Sequence, residues 1–112
     1  MPVSTSLPKS ITDYFSAVDR REIDAILRTF VDIPTVKDEG TERQGPEAIR
    51  DWFEETTKKY NPTFAVIDAE AAGGRQVVTV RVAGTFPGSP VELRYAFTLA
   101  GGGKISRLEI TA

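Results

Sequence analysis

Up to Tyr60 the apolar positions of this chain recur at helical spacing, interrupted once; beyond Pro62 they alternate. Ile11, Tyr14, Phe15 and Val18 fall at i, i+3, i+4 and i+7, one stripe of an amphipathic helix. Pro8 is tolerated because it lies in the first turn, where its missing N–H has no helical partner to lose. Asp19 followed by Glu22 reads as a capping box, so a second helix is expected to begin there. Ile23, Ile26, Leu27 and Phe30 repeat the spacing, as two short helices or as one helix kinked near Asp19-Arg20. Pro34 stops helical structure.

Thr35 to Asp38 predicts a short strand, Glu39-Gly40 a turn, and Thr41 to Gln44 a strand returning beside the first. Gly45-Pro46 then opens a third helix, with Pro at its first position and Glu47 near the positive end of its dipole. Ile49, Trp52 and Phe53 line one face of it. Asn61-Pro62 ends it, and the period changes to two. Thr63 to Ala72 predicts a strand, Gly73-Gly74 a tight turn, and Gln76 to Phe86 a second strand with Val78, Val80 and Val82 on one face. After the Pro87 to Pro90 turn cluster, Val91 to Leu99 places Leu93, Tyr95, Phe97 and Leu99 on one face. Gly101 to Gly103 turns the chain, and Lys104 to Thr111 closes a meander with Leu108 and Ile110 on one side. Helices gathered on one face of an antiparallel meander make an α+β domain. One domain over residues 7–112 is expected, with residues 1–6 as a flexible N-terminus.

Composition narrows the chemistry. The chain has 112 residues, 40% of them hydrophobic, so a single packed core is within reach. A net charge of −2 supplies no basic face for nucleic acid and no polybasic membrane patch. No apolar run approaches the ~20 residues of a membrane span, and MPVSTSLPKS has no apolar signal core, so a cytoplasmic protein is expected. The chain has no Cys, which excludes thiol nucleophiles and thiolate metal sites. It has no His, which excludes Ser-His-Asp chemistry and imidazole-ligated metals. Acid–base work falls to Asp, Glu, Tyr, Lys or bound water. Asp38, Glu39 and Glu42 match no metal-binding spacing, and no cofactor is expected.

Asp38 is the first candidate base. It shares a strand face with Val36; if Val36 points into the core, a desolvated carboxylate of raised pKa follows. The other reading is an Asp that only caps the Glu39-Gly40 turn. Tyr14 lies within an apolar stripe and is either a core tyrosine or a donor to a ligand oxygen. Trp52, Phe53, Tyr60, Phe64, Phe86 and Phe97 supply core and candidate pocket wall for a flat apolar ligand. Arg81, Arg94, Arg107 and Glu109 would lie on the sheet's other face among Ala83 and Ala96, as a dimer surface or as an ordinary wet face.

The order of elements, FVDIPTVKDEGTERQGPEAIRDWF in particular, and the ending PGSPVELRYAFTLAGGGKISRLEI resemble the nuclear transport factor 2-like, or SnoaL-like, superfamily over nearly the whole chain. The resemblance implies a cystatin-like, cone-shaped, bent antiparallel sheet packed on three N-terminal helices, a pocket at the open end, and a homodimer through sheet surfaces. Relatives include ketosteroid isomerase and polyketide cyclases. The segment YFSAVDRREIDAILRTFVDIPTVKD lies on ketosteroid isomerase without a gap, which places that enzyme's oxyanion-binding tyrosine on Tyr14 and its general base on Asp38. The acid completing its oxyanion hole falls near Tyr95, so Tyr95 is the candidate replacement. The implied function is a pocket protein carrying out cofactor-free proton transfer on a small apolar carbonyl compound, as isomerase, cyclase or dehydratase. The alternatives are a non-catalytic ligand-binding module and a dimerisation module.

Overall fold

In the computed structural model, which describes residues 7–112, α1 (Lys9–Arg20) buries Ile11, Tyr14, Phe15, Ala17 and Val18, the stripe its spacing predicts. The expected flexible residues 1–6 lie outside the described residues. Asp19 stays inside α1 rather than capping a second helix. Instead Arg21 takes left-handed backbone at φ 55°, and the N–H groups of Arg21 and Glu22 donate to the Val18 and Ala17 carbonyls, each at 3.0 Å. That closure satisfies the terminal carbonyls through the backbone alone, and α2 (Ile23–Arg28) starts with no side-chain cap bond from Glu22. The Arg21 guanidinium donates to Asn61 Oδ1 at 2.8 Å and to the Pro62 carbonyl at 3.2 Å. These bonds hold a residue whose left-handed backbone costs ~1 kcal/mol.

Phe30 leaves the helix. Thr29 Oγ1 donates to the Ile26 carbonyl at 2.6 Å, and the Thr29 carbonyl accepts the N–H of Ile105 at 2.9 Å. That tie draws the chain into the sheet, so Phe30 opens β1 (Phe30–Asp38) four residues before Pro34. Pro34 sits where the β1 ladder is interrupted between Phe30 and Thr35, so its missing N–H breaks no rung. β2 (Thr41–Gln44) returns through a two-residue turn, Glu39-Gly40, with φ of 55° and 76°. Positive φ at both positions matches the right-handed twist of a hairpin.

α3 (Pro46–Tyr60) buries Ile49, Trp52 and Phe53. Then follow β3 (Thr63–Ala72), β4 (Arg75–Ala83), β5 (Val91–Leu99) and β6 (Ile105–Thr111). The six strands form one curled, unclosed sheet in the order β2-β1-β6-β5-β4-β3. Four neighbour pairs are antiparallel, as expected; β1 and β6 run parallel and join the small hairpin to the meander. Val36, Val78, Val80, Phe97 and Leu108 face the helices and are buried. On the opposite face Arg81 pairs with Glu92 at 3.2 Å, Arg107 with Glu42 at 3.1 Å and Arg75 with Glu109 at 3.9 Å. Exposed pairs of this kind contribute only ~0–1 kcal/mol each.

Candidate active site

The curled sheet leaves a cavity of ≈ 670 Å³ between itself, α1 and α3. Three elements deliver its polar groups. The period of two in β1 puts Asp38 on the inward face with Val36, one residue before the hairpin turn. The stripe of α1 delivers Tyr14, and the inward face of β5 delivers Tyr95. Trp52, Phe53, Tyr60, Phe64 and Phe86 also line the cavity. Phe97 does not. It is fully buried behind the site, with its ring centroid 5.6 Å from that of Tyr14 and 6.2 Å from that of Tyr95. Its role is to back the two tyrosines, because β5 turns Phe97 under the α1 rings instead of toward the opening.

Asp38 is part-buried, and Trp52 Nε1 donates to its Oδ2 at 2.9 Å. Burial raises the Asp38 carboxyl above the ordinary carboxylate range. The Trp52 bond lowers it in part, the Glu39 charge raises it, and Arg43 and the Glu39 amide lower it. Burial also pushes both tyrosine hydroxyls upward; the Asp38 charge adds to the rise at each, and Tyr95 adds to it at Tyr14. Both phenols therefore stay protonated at neutral pH, and both are available as donors. Neither hydroxyl has a hydrogen-bond partner among the described residues. An acceptor carboxylate and two unengaged O–H donors thus share one cavity with a largely apolar wall. That set can take a proton from carbon and hold the charge that develops on oxygen.

Tyr60 stands at the mouth. Its hydroxyl donates to Glu39 Oε2 at 3.4 Å, and its ring meets Phe86 edge-on at 5.5 Å. The Tyr60 carbonyl accepts from Thr85 N at 2.8 Å and Thr85 Oγ1 at 3.2 Å, so the end of α3 is pinned to the segment after β4. Val82, Val91, Leu93 and Ile110 complete the apolar wall and were not among the sequence candidates. The alternation that pairs Val82 with Val80, and Ile110 with Leu108, carried that signal. Trp52 was expected only as wall; its N–H on Asp38 is legible only in three dimensions. Among the described residues no group of three or more carboxylates is placed to hold a metal ion. Among them, too, no helix is long and apolar enough to cross a membrane.

The sequence profile described as a SnoaL-like domain matches residues 11–108. The chain is similar to a proposed polyketide cyclase from Sinorhizobium meliloti, 37% identical over 94% of this chain and 95% of that one, with a TM-score of 0.89. It is similar in fold to SalBIII, an epoxide hydrolase/cyclase-like enzyme of pyran ring formation in the polyether salinomycin, at 22% identity and a TM-score of 0.73, over 92% of this chain and 87% of that one. A hypothetical protein of ketosteroid isomerase-like fold from Catenulispora acidiphila, crystallised in complex with trimethylamine, matches at 19% identity and a TM-score of 0.79, over 96% of this chain and 87% of that one. The last two likenesses concern the fold alone. No curated protein matches the chain.

Proposed function

The chain belongs to the SnoaL-like domain family, and from that premise we propose that it is a cofactor-independent proton-transfer enzyme acting on a small apolar carbonyl compound. One observation carries the reading. A part-buried carboxylate of raised pKa, Asp38, lines the same cavity as two tyrosines with no hydrogen-bond partner among the described residues. The 37% identity to a proposed polyketide cyclase supports a substrate with enolisable carbonyl carbons.

Asp38 takes the proton alpha to the carbonyl. As that C–H bond breaks, the electron pair moves to the carbonyl oxygen, and Tyr14 and Tyr95 donate hydrogen bonds to the forming enolate. Returning the proton to another carbon gives an isomer; attack of the enolate carbon on a second carbonyl breaks that C=O π bond and closes a ring, and the alkoxide so formed takes the proton back from Asp38. The Trp52 bond holds Asp38 Oδ2 and so fixes the orientation of the carboxylate that acts as the base. Each oxyanion donor is worth ~3 kcal/mol of barrier. The same reading includes a homodimer through the ion-paired face carrying Arg81, Arg94, Arg107 and Glu109. Sedimentation equilibrium tests it, and a monomer at micromolar concentration rejects it.

The chemistry is tested by exchange of the alpha protons of 2-tetralone in D2O, followed by proton NMR. The protein should accelerate exchange. Asp38→Asn should reduce the acceleration by about 100-fold or more, and Tyr14→Phe by a factor on the order of 100. Exchange that is equally fast with Asp38→Asn removes Asp38 as the base.

A further inference from the structure

We infer that the cavity selects a ligand bearing a cationic amine, with the charged group seated at the mouth among Glu39, Tyr60 and Phe86. The inference rests on the cavity being the working site and adds a charged end to the otherwise apolar carbonyl compound proposed above.

Two of the side chains lining the cavity are carboxylates, Asp38 and Glu39. Among the described residues no Lys or Arg lines it, although the chain has 14 of them. Three cations stand next to lining residues without lining the cavity themselves: Arg21 donates to the carbonyl of Pro62 at 3.2 Å, and Arg43 and Lys59 lie beside Asp38 and Tyr60. Arg43 lowers the Asp38 pKa by its field while its guanidinium lies 3.8 Å from Glu55. Lys59 Nζ lies 5.1 Å from the Tyr60 ring centroid, which marks that ring as one a cation approaches. Apart from Thr56, Thr57 and Thr111, the rest of the wall is aromatic or aliphatic. The apolar wall strengthens the field of the part-buried Asp38, and Glu39, exposed at the hairpin tip, adds its charge at the opening. An anion entering would lose its hydration and meet two like charges with no cation in the lining itself to offset them. A cation would gain from both carboxylates and from the π faces of the rings.

The mouth has the geometry for the charged end. Glu39 is exposed at the hairpin tip, its Oε2 accepts from Tyr60, and Tyr60 meets Phe86 edge-on. One carboxylate and two rings therefore converge at the opening. The apolar body of the ligand then points inward past Leu93 toward Asp38. A compound with its amine at one end and its carbonyl at the other fits this polarity.

Trp52 is the only Trp of the chain and lines the cavity, so its fluorescence reports occupancy. The probes are benzyltrimethylammonium, its neutral isostere neopentylbenzene, and phenylacetate, each titrated at low and high salt. The cation should bind at least about tenfold more tightly than phenylacetate, with the neutral probe between them. High salt should shrink the difference. Glu39→Gln, at an exposed position that leaves the fold intact, should reduce it several-fold. Phenylacetate binding as tightly as the cation overturns the inference. So does a preference unchanged in Glu39→Gln, and so does failure of all three probes to change the Trp52 emission at millimolar concentration. The two readings fail separately. A cation preference without 2-tetralone exchange rejects the proton-transfer chemistry and keeps this inference; exchange without a cation preference does the reverse.

Discussion

Replacing Gly84 by alanine tests how the mouth is built. A Cβ at this position would lie 2.3 Å from the Tyr60 carbonyl oxygen and 3.1 and 3.2 Å from two carbons of the Phe86 ring. Ordinary contact begins at 3.4 Å, so the carbonyl has to recede by 3.4 − 2.3 = 1.1 Å. The obstacle is backbone at the end of α3, which has no rotamer to escape into. Moving it also strains the two bonds that this oxygen accepts from Thr85, at 2.8 and 3.2 Å. Overpacking costs ~1–3 kcal/mol, and one backbone hydrogen bond adds ~1 kcal/mol. The expected destabilisation is therefore about 2–4 kcal/mol, a fall in the urea midpoint on the order of 1–2 M. Gly101→Ala is the control: nothing lies within 4 Å of its Cβ, and its backbone is not left-handed. It should be neutral or slightly stabilising, because alanine loses less chain entropy on folding. Urea unfolding followed by Trp52 fluorescence measures both. A Gly84→Ala midpoint equal to that of Gly101→Ala refutes the close approach of the two backbones, and with it the fixed position of Tyr60.

Burial raises the Asp38 pKa above its ordinary 3.8, so ionising it costs the folded state stability. Below the unfolded value both states are protonated and nothing is lost; as pH rises through the raised folded value the cost appears in full. Asp38→Asn should therefore melt at higher temperature than the wild type at pH 7, and the gap should close as pH falls toward 4; a gap independent of pH by calorimetry contradicts this. Phe97→Ala empties a fully buried site that touches the Tyr14, Phe15 and Tyr95 rings. It should cost ~3–5 kcal/mol in denaturant unfolding; a loss below 1 kcal/mol would mean that the tyrosines do not lean on it.

Local periods carry most of the fold. The stripe Ile11, Tyr14, Phe15, Val18 and the stripe Ile49, Trp52, Phe53 are buried helix faces, as their spacing alone requires. The alternation at Val78, Val80 and Val82 and the Gly73-Gly74 turn lie where a period of two and a positive-φ pair demand. The same period puts Val36 and Asp38 on one face, so the inward position of Asp38 was legible before any coordinates. These features depend only on residues a few positions apart.

What tertiary structure decided involves partners distant in the chain. Phe30 belongs to the helical repeat, yet Thr29 is bonded to Ile105 across the sheet and Phe30 becomes strand. Asp19 and Glu22 spell a cap, yet Arg21, tied to Asn61 and Pro62, closes α1 through its backbone. The parallel β1–β6 pair, the Trp52 bond to Asp38 and the retreat of Phe97 behind the tyrosines likewise arise when separate elements pack. A local pattern says which side of an element is apolar. Only the packing of one element on another says which atoms meet, because each such contact is set by groups that the sequence holds far apart.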